Sequence, residues 1–142
     1  MTGSLSVKIL NIKNGFQEVR QLGSNIVVNG AKVQMAHLIA GDAASRSVTK
    51  MQFGTGSMPE FITDAFLQSP LTPVKAVVVS YPIASIYRVQ FDASILADEM
   101  VGFTIAEAGL LSEDDTLVAR KTFAGLSKTD ELQFMFYWTI EM

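Results

Sequence analysis

Cysteine is absent from the 142-residue chain, and histidine and tryptophan each occur once. The first absence removes disulfides, a thiolate nucleophile and cysteine-ligated metal. The lone histidine, His37, has no second imidazole with which to build a metal cage or a proton relay. Charge is scarce too: Asp, Glu, Lys and Arg make up 18% of the residues, against about 25% in an average soluble domain. The balance leans acidic, at −3 with no basic stripe, which argues against nucleic acid as a partner. No apolar run approaches the roughly 18 residues of a membrane span, and Met1 to Leu10 lacks the basic start and continuous apolar run of a signal peptide. These absences predict a soluble protein made in the cytoplasm, with no membrane partner and no cofactor.

Apolar residues are abundant, at 49%. With so little polar surface available, part of the apolar surface is expected to be covered by copies of the chain or by a partner. The plain alternative is a lean monomer with a large core. The length suits one domain, residues 1–142, able to bury roughly 70% of its unfolded-chain surface. No linker, internal repeat or heptad pattern divides it.

Leu5 to Ile12 alternates loosely and ends at Asn14-Gly15, a dipeptide suited to a tight turn, with Phe16 to Leu22 returning as a second strand. From Asn29 the period becomes helical, with Ala31, Met35, Leu38 and Ile39 on one face, Asn29 as N-cap and Gly41 past the end. Residues 42–47 read as a loop and Val48 to Phe53 as a strand running into Gly54-Thr-Gly-Ser57. Pro59, Pro70 and Pro73 predict a long irregular connection over 54–74, with one helical turn at Thr63 to Leu67. Strands are then expected at Lys75 to Tyr81, Ser85 to Asp92, Gly102 to Leu111, Thr116 to Ala124 and Glu131 to Glu141. In the last of these, Leu132, Phe134, Phe136, Trp138 and Ile140 share the face expected to meet the core. The class is mainly β with one helix (α+β): an antiparallel β-sandwich with an α-helix in its N-terminal half.

Glu107 and Arg120 stand inside the two strands that flank an acidic turn, Glu113-Asp-Asp115. If Leu111 opposes Thr116, Glu107 lies opposite Arg120. If Leu111 opposes Leu117, Glu107 lies opposite Lys121. Either way the glutamate gains a cation, read as a lock on register or a contact to a neighbouring subunit. The competing reading, a surface ion pair worth about 0–1 kcal/mol, is slightly favoured.

The order Val48-Thr-Lys-Met-Gln-Phe-Gly-Thr-Gly56, then Gly102-Phe-Thr-Ile-Ala-Glu-Ala-Gly-Leu110, then Thr116-Leu-Val-Ala-Arg120 resembles the N-terminal domain of phage tail-collar and tail-fibre proteins. Ser24-Asn-Ile-Val-Val-Asn-Gly30, entering the helix, is similar to related phage structural proteins. The resemblance covers roughly residues 24–140 and divides the chain into N-terminal strands or an arm, about 1–23, and a tail-collar-fibre-like β-sandwich, 24–142. Ala108 stands where the family carries a bulkier apolar residue, and no repetitive shaft follows within these residues. The resemblance therefore implies an attachment or assembly module of a virion rather than a receptor-binding fibre. It also implies self-association, as a trimer or alternatively a hexamer, with other tail or collar proteins as partners.

Other sites are weaker. His37 lies off the apolar stripe of its helix and reads as a solvated or partly buried side chain. Gly54-Thr-Gly-Ser57 lacks the lysine of a phosphate-binding loop and reads as a strand-end turn. Glu113, Asp114 and Asp115 lack the ligand spacing of a calcium loop and read as a solvated turn. Asp98-Glu99 and Asp130-Glu131 read as loop or strand-edge charges. The Phe134/Phe136/Trp138 row has the alternation of a core face rather than of a sugar platform, and Tyr81 and Tyr87 are the better candidates for an exposed interface. The leading expectation is a non-enzymatic tail, collar or baseplate component that attaches a fibre or ring. A head decoration or head-fibre base protein comes second. A carbohydrate-binding β-sandwich using Tyr81, Tyr87 or Trp138 comes third, and an enzyme last.

Overall fold

The computed structural model of the protein describes residues 1–42, 46–83 and 87–142. Along the chain come β1 (Thr2–Asn11), β2 (Gln17–Val27), α1 (Asn29–Ile39), β3 (Val48–Gly54), β4 (Lys75–Ala76), β5 (Val78–Ser80), β6 (Arg88–Ile95), β7 (Thr104–Ser112), β8 (Leu117–Ser127) and β9 (Leu132–Glu141). All pairings between these strands are antiparallel, in the order β4-β3-β7-β8-β2-β1-β9-β6-β5.

Two devices curl this order into a nearly closed, barrel-like sheet. Strand β2 changes partner along its length: residues up to Asn25 pair with β1, and Ile26 and Val27 pair with β8. A bulge opposite Leu5 and Ser6, with Gly23 at φ +95°, adds local twist on the way. At the far side, the stretch from Lys75 to Ser80 supplies both ends of the order. Its first residues pair with β3, its last with β6, and the Val77 amide between them donates to the Thr49 carbonyl (3.1 Å). The expected single strand from Lys75 to Tyr81 is therefore two short strands with different partners. The hydrogen-bonded order runs unbroken through β2, so the expected sandwich appears as one sheet whose halves face each other. Of the strand expected from Ser85 and the loop expected over 42–47, residues 85–86 and 43–45 lie outside the described residues.

The enclosed core follows from period-2 patterning. Leu5 and Val7 of β1, Met51 and Phe53 of β3, Ile95 of β6, Leu110 of β7 and Phe134, Phe136 and Trp138 of β9 are all buried in one cluster. Phe53 and Phe136 come from opposite halves and meet with ring centroids 4.6 Å apart. The Trp138 indole N–H donates to Asn25 Oδ1 (2.8 Å). Gly3 makes this fit possible, because a Cβ there would overlap the Asn25 amide.

Outside the core, the other face of β7 and β8 carries a second layer. Val28, Leu67, Leu111 and Leu117 form a smaller apolar cluster there, covered by the 55–69 connection and α1. Helix α1 differs from expectation. Its N-cap is Val28 rather than Asn29, with no side-chain cap bond, and its buried residues are Ala31 and Gln34, while Leu38 and Ile39 are exposed. The reason is polar: Gln34 Nε2 donates to Ser112 Oγ (2.9 Å) and Asp114 Oδ1 (2.8 Å), which turns that face inward. Gly41 follows the helix with φ +76°, as a C-terminal glycine should. Residues 63–67 form no helical turn. The local structure is a tight turn in which the Asp64 amide donates to the Phe61 carbonyl (3.0 Å) and the Phe61 amide to Asp64 Oδ2 (2.9 Å).

Candidate functional site

The β7–β8 hairpin follows neither expected register. Leu111 opposes Leu117, but a bulge next to it shifts the ladder, so Leu110 opposes Ala119 and Glu107 opposes Thr122. Arg120 then sits two residues along on the same face of the sheet, a diagonal neighbour within reach of a long side chain. Its Nε and Nη2 both donate to Glu107 Oε1 (3.2 Å each). The pair is not on the surface, as the favoured reading had it: Glu107 is 0% exposed and Arg120 3%.

A buried carboxylate is tolerated only when its oxygens are saturated with donors. Glu107 Oε2 accepts from the Gly56 amide (2.7 Å) and the Ser69 amide (2.8 Å), and Oε1 also accepts from the Gln68 amide (2.9 Å). These amides bracket the long connection between β3 and β4. Arg120 reaches the same segment: Nη2 donates to the Met58 carbonyl (3.1 Å), and Nη1 to the Pro59 carbonyl (3.3 Å) and Asp64 Oδ2 (3.0 Å). One ion pair thus anchors both arms and the middle of an otherwise irregular loop. With five donors on its two oxygens, the carboxylate's part here is positional.

Lys121, the alternative cation, serves the same loop through another carboxylate. Its Nζ lies 3.3 Å from Glu60 Oε1, while Thr122 Oγ1 donates to Glu60 Oε2 (2.6 Å). Burial alone would raise the Glu60 pKa, but hydrogen bonds from Thr122 and Lys121 outweigh it and hold it below the usual range.

The Gly-x-Gly turn has its explanation here. A Cβ on Gly54 would lie 2.7 Å from Glu107 Oε2 and 2.5 Å from the Ser69 carbonyl oxygen, and one on Gly56 would overlap Glu107 Oε2 and crowd Gln68. Both glycines are needed for the backbone to approach the carboxylate, not to bind phosphate. The sequence signal was a glutamate between alanines and beside a glycine, Ala106-Glu-Ala-Gly109, in a strand buried on both faces. Small neighbours leave room for an overlying chain.

The acidic turn is also more than a solvated loop. Asp115 occupies φ +66° and its carboxylate pairs with Lys50 (2.5 Å). Asp114 accepts from Ser112 Oγ, Gln34 and, at 3.0 Å, Arg46, thereby docking α1 on the hairpin. Hydrogen bonds from Ser112, then Gln34, hold its carboxyl far below the usual range against a smaller opposing effect of burial. A depressed folded-state pKa contributes stability that is present above the unfolded value and lost as pH falls through the folded one. Asp114→Asn is therefore expected to lower the urea midpoint at pH 7. The gap to wild type should narrow as pH falls below 3.8, the ordinary value for this carboxyl. Solvent screening limits the effect to about 1 kcal/mol or less. Urea titrations at pH 7 and pH 3 check it, and a gap that is unchanged or wider at pH 3 would contradict the assignment.

The remaining candidates separate. Tyr81 and Tyr87 are strongly exposed and share an open cleft of about 370 Å³ with Arg88, Val89 and Met142, beyond the β5 edge. Trp138 is 0% exposed and bonded to Asn25, which removes it as a sugar platform. His37 is half-buried, with Nδ1 2.8 Å from Asp42 Oδ2. Among the described residues, no group of three or more His, Asp or Glu is placed to hold a metal, and no helix is long and apolar enough to cross a membrane.

Lys128 was not anticipated. This buried ammonium donates to the Ala97 (2.9 Å) and Thr129 (2.8 Å) carbonyls, and burial pushes its pKa down. Glu99 reaches Lys75 at 2.7 Å and accepts from the Leu96 amide (2.8 Å), so it ties the β4 end of the sheet to the loop after β6. Glu131 pairs with Lys13 at the surface (3.0 Å).

No family model, no curated protein and no solved structure matches the chain.

Proposed function

We propose that this protein is a non-enzymatic structural component of a phage particle, a tail, collar or baseplate element that self-assembles and attaches a fibre or ring. The observation that carries the reading is the convergence of the motif set. Gly54-Thr-Gly56 lies some fifty residues before the hairpin that carries Glu107 and Arg120, and the three meet in one buried cluster. The residues that carry the resemblance thus share one physical task, fixing a long loop on the outside of a β-scaffold. Held this way, the loop is a preformed surface, suited to rigid assembly contacts.

In this reading the two facing halves of the sheet correspond to a tail-collar-like sandwich, and the copies associate as a trimer or a hexamer. The Tyr81/Tyr87 cleft is a contact surface for a neighbouring virion protein. The test pairs light scattering after size exclusion, at micromolar concentration, with mass spectrometry of purified particles. The expected result is an oligomer in solution and the protein in the particles. A strictly monomeric protein that is also absent from particles would sink the proposal.

A further inference from the structure

We infer that the gap between β2 and β8 is a docking site for an extended strand of another polypeptide, which completes the barrel by adding to its open edges. The site depends on how the sheet pairs and not on the virion reading above.

The two strands form a fork. They pair only at its closed end, where Ile26 and Val27 lie opposite Arg120 and Ala119. Beyond that point, among the described residues, no strand pairs with the outer edge of β2 from Gln17 to Asn25 or with that of β8 from Lys121 to Ser127. The Asn11 amide donates to the Phe16 carbonyl (2.8 Å), so Phe16 turns its backbone to β1 and, by alternation, Gln17, Val19 and Gln21 turn theirs to the gap. The Lys128 amide donates to the Phe103 carbonyl (2.9 Å), which likewise turns Ser127 to the gap from the other side.

An open cleft of about 430 Å³ lies between the edges, walled by Glu18 and Arg20 on one side and Gly125 and Ser127 on the other, over an apolar floor that includes Ile9 and Phe134. At about 30 Å³ per water, this is far more space than one bridging water needs. Strand β2 does not close the gap itself. Glu18 and Arg20 lie opposite Ile9 and Val7, on the core side of the strand, and full pairing with β8 would carry both charges inside.

The unpaired backbone groups define the occupant. Rows of N–H and C=O on facing edges are complementary to an extended backbone, the basis of recognition by strand addition. Neither stretch, 17–22 nor 123–127, carries the lysine or proline that ordinarily blocks such addition. The inward charges do not block it either, because Arg20 donates twice to Glu18 (2.8 and 3.2 Å) and the pair is neutral. The incoming strand therefore places apolar side chains on the floor at every second position and carries no net charge. The described residues hold no such strand to spare: the alternating apolar segments already belong to this sheet, and the 55–69 connection is tied to Glu107 and Arg120. The donor is thus a different protein.

The probe is the capped peptide Thr-Val-Thr-Val-Thr-Val-Thr, titrated into the full chain and followed by amide hydrogen exchange. In the free protein the amides of Gln17, Val19, Gln21 and Ser127 are expected to exchange fast. The peptide is expected to bind with a Kd below about 1 mM and to protect these four. Methylating every second peptide nitrogen removes donors without changing side chains, and should weaken binding on the order of 10-fold. Val19→Pro, which removes an outward amide and no bond to β1, should do the same with an unchanged circular dichroism spectrum. If that variant does not fold, the methylated peptide makes the comparison on the intact protein. No binding at millimolar peptide, protection elsewhere, or equal binding of the methylated peptide would each overturn the inference. So would open-edge amides already protected in the monomer, or protected as the protein concentration rises, which would make the occupant a second copy.

Discussion

Replacing Glu107 with alanine is expected to destabilise the protein by about 3–5 kcal/mol, the range for removing one partner of a buried ion pair, here together with the acceptor of three backbone amides. Arg120, 3% exposed, would keep Asp64 and the Met58 and Pro59 carbonyls but lose the carboxylate that accepts from two of its nitrogens. The Gly56, Gln68 and Ser69 amides would lose their acceptor at the same time. Glutamine is not a rescue, because its NH₂ would face donors where an acceptor is needed. Arg120→Met alone strands the carboxylate but leaves it the three amides, so its cost should be similar or smaller. The double variant should lose less than the sum of the singles, with a coupling of about 1–3 kcal/mol. Urea unfolding measures these terms, and hydrogen exchange at Gly56, Gln68 and Ser69 reports whether the loop opens before the barrel. A loss below 1 kcal/mol, or strict additivity, would mean that the pair does not hold the loop.

How much of this was legible depended on whether a residue's partners were near in sequence. Trp138 and the phenylalanines of β9 were readable as core because alternation within one strand fixes a face without knowledge of what lies opposite. The hairpin turns were readable from Asn14-Gly15 and the acidic run. The Glu107–Arg120 contact was readable only as a choice between two registers, and a one-residue bulge beside Leu111 produced a third. Its burial was not legible at all, since the cover comes from residues 55–69, some forty positions earlier. The helix was misjudged for the same reason: Gln34 faces inward because Ser112 and Asp114 wait for it, a contact that outweighs the apolar stripe ending in Ile39. The sandwich expectation could not foresee that Lys75 to Ser80 would border both ends of one sheet, because propensity says which residues extend and not which strands they join.

Phe136→Ala is the counterpart in the main core, with an expected loss of about 3–5 kcal/mol by urea unfolding. The side chain is fully buried in the middle of β9, itself between β1 and β6, and its ring meets Phe53 at 4.6 Å, Phe123 at 6.2 Å and Phe134 at 6.3 Å. Truncation removes both transfer free energy and the packing of three rings, and a strand flanked on both sides cannot move in to fill the space. Met135, on the opposite face and only half-buried, should cost less than about 1 kcal/mol when truncated. The pair Phe53 and Phe136 also tests the curl of the sheet. They belong to β3 and β9, which share no hydrogen bonds in the strand order, so their contact exists only if the two halves face each other. Facing halves predict a Phe53→Ala/Phe136→Ala coupling of about 0.5–1.5 kcal/mol. Additive losses would mean that the rings do not meet across the core and that the curl brings the halves together elsewhere.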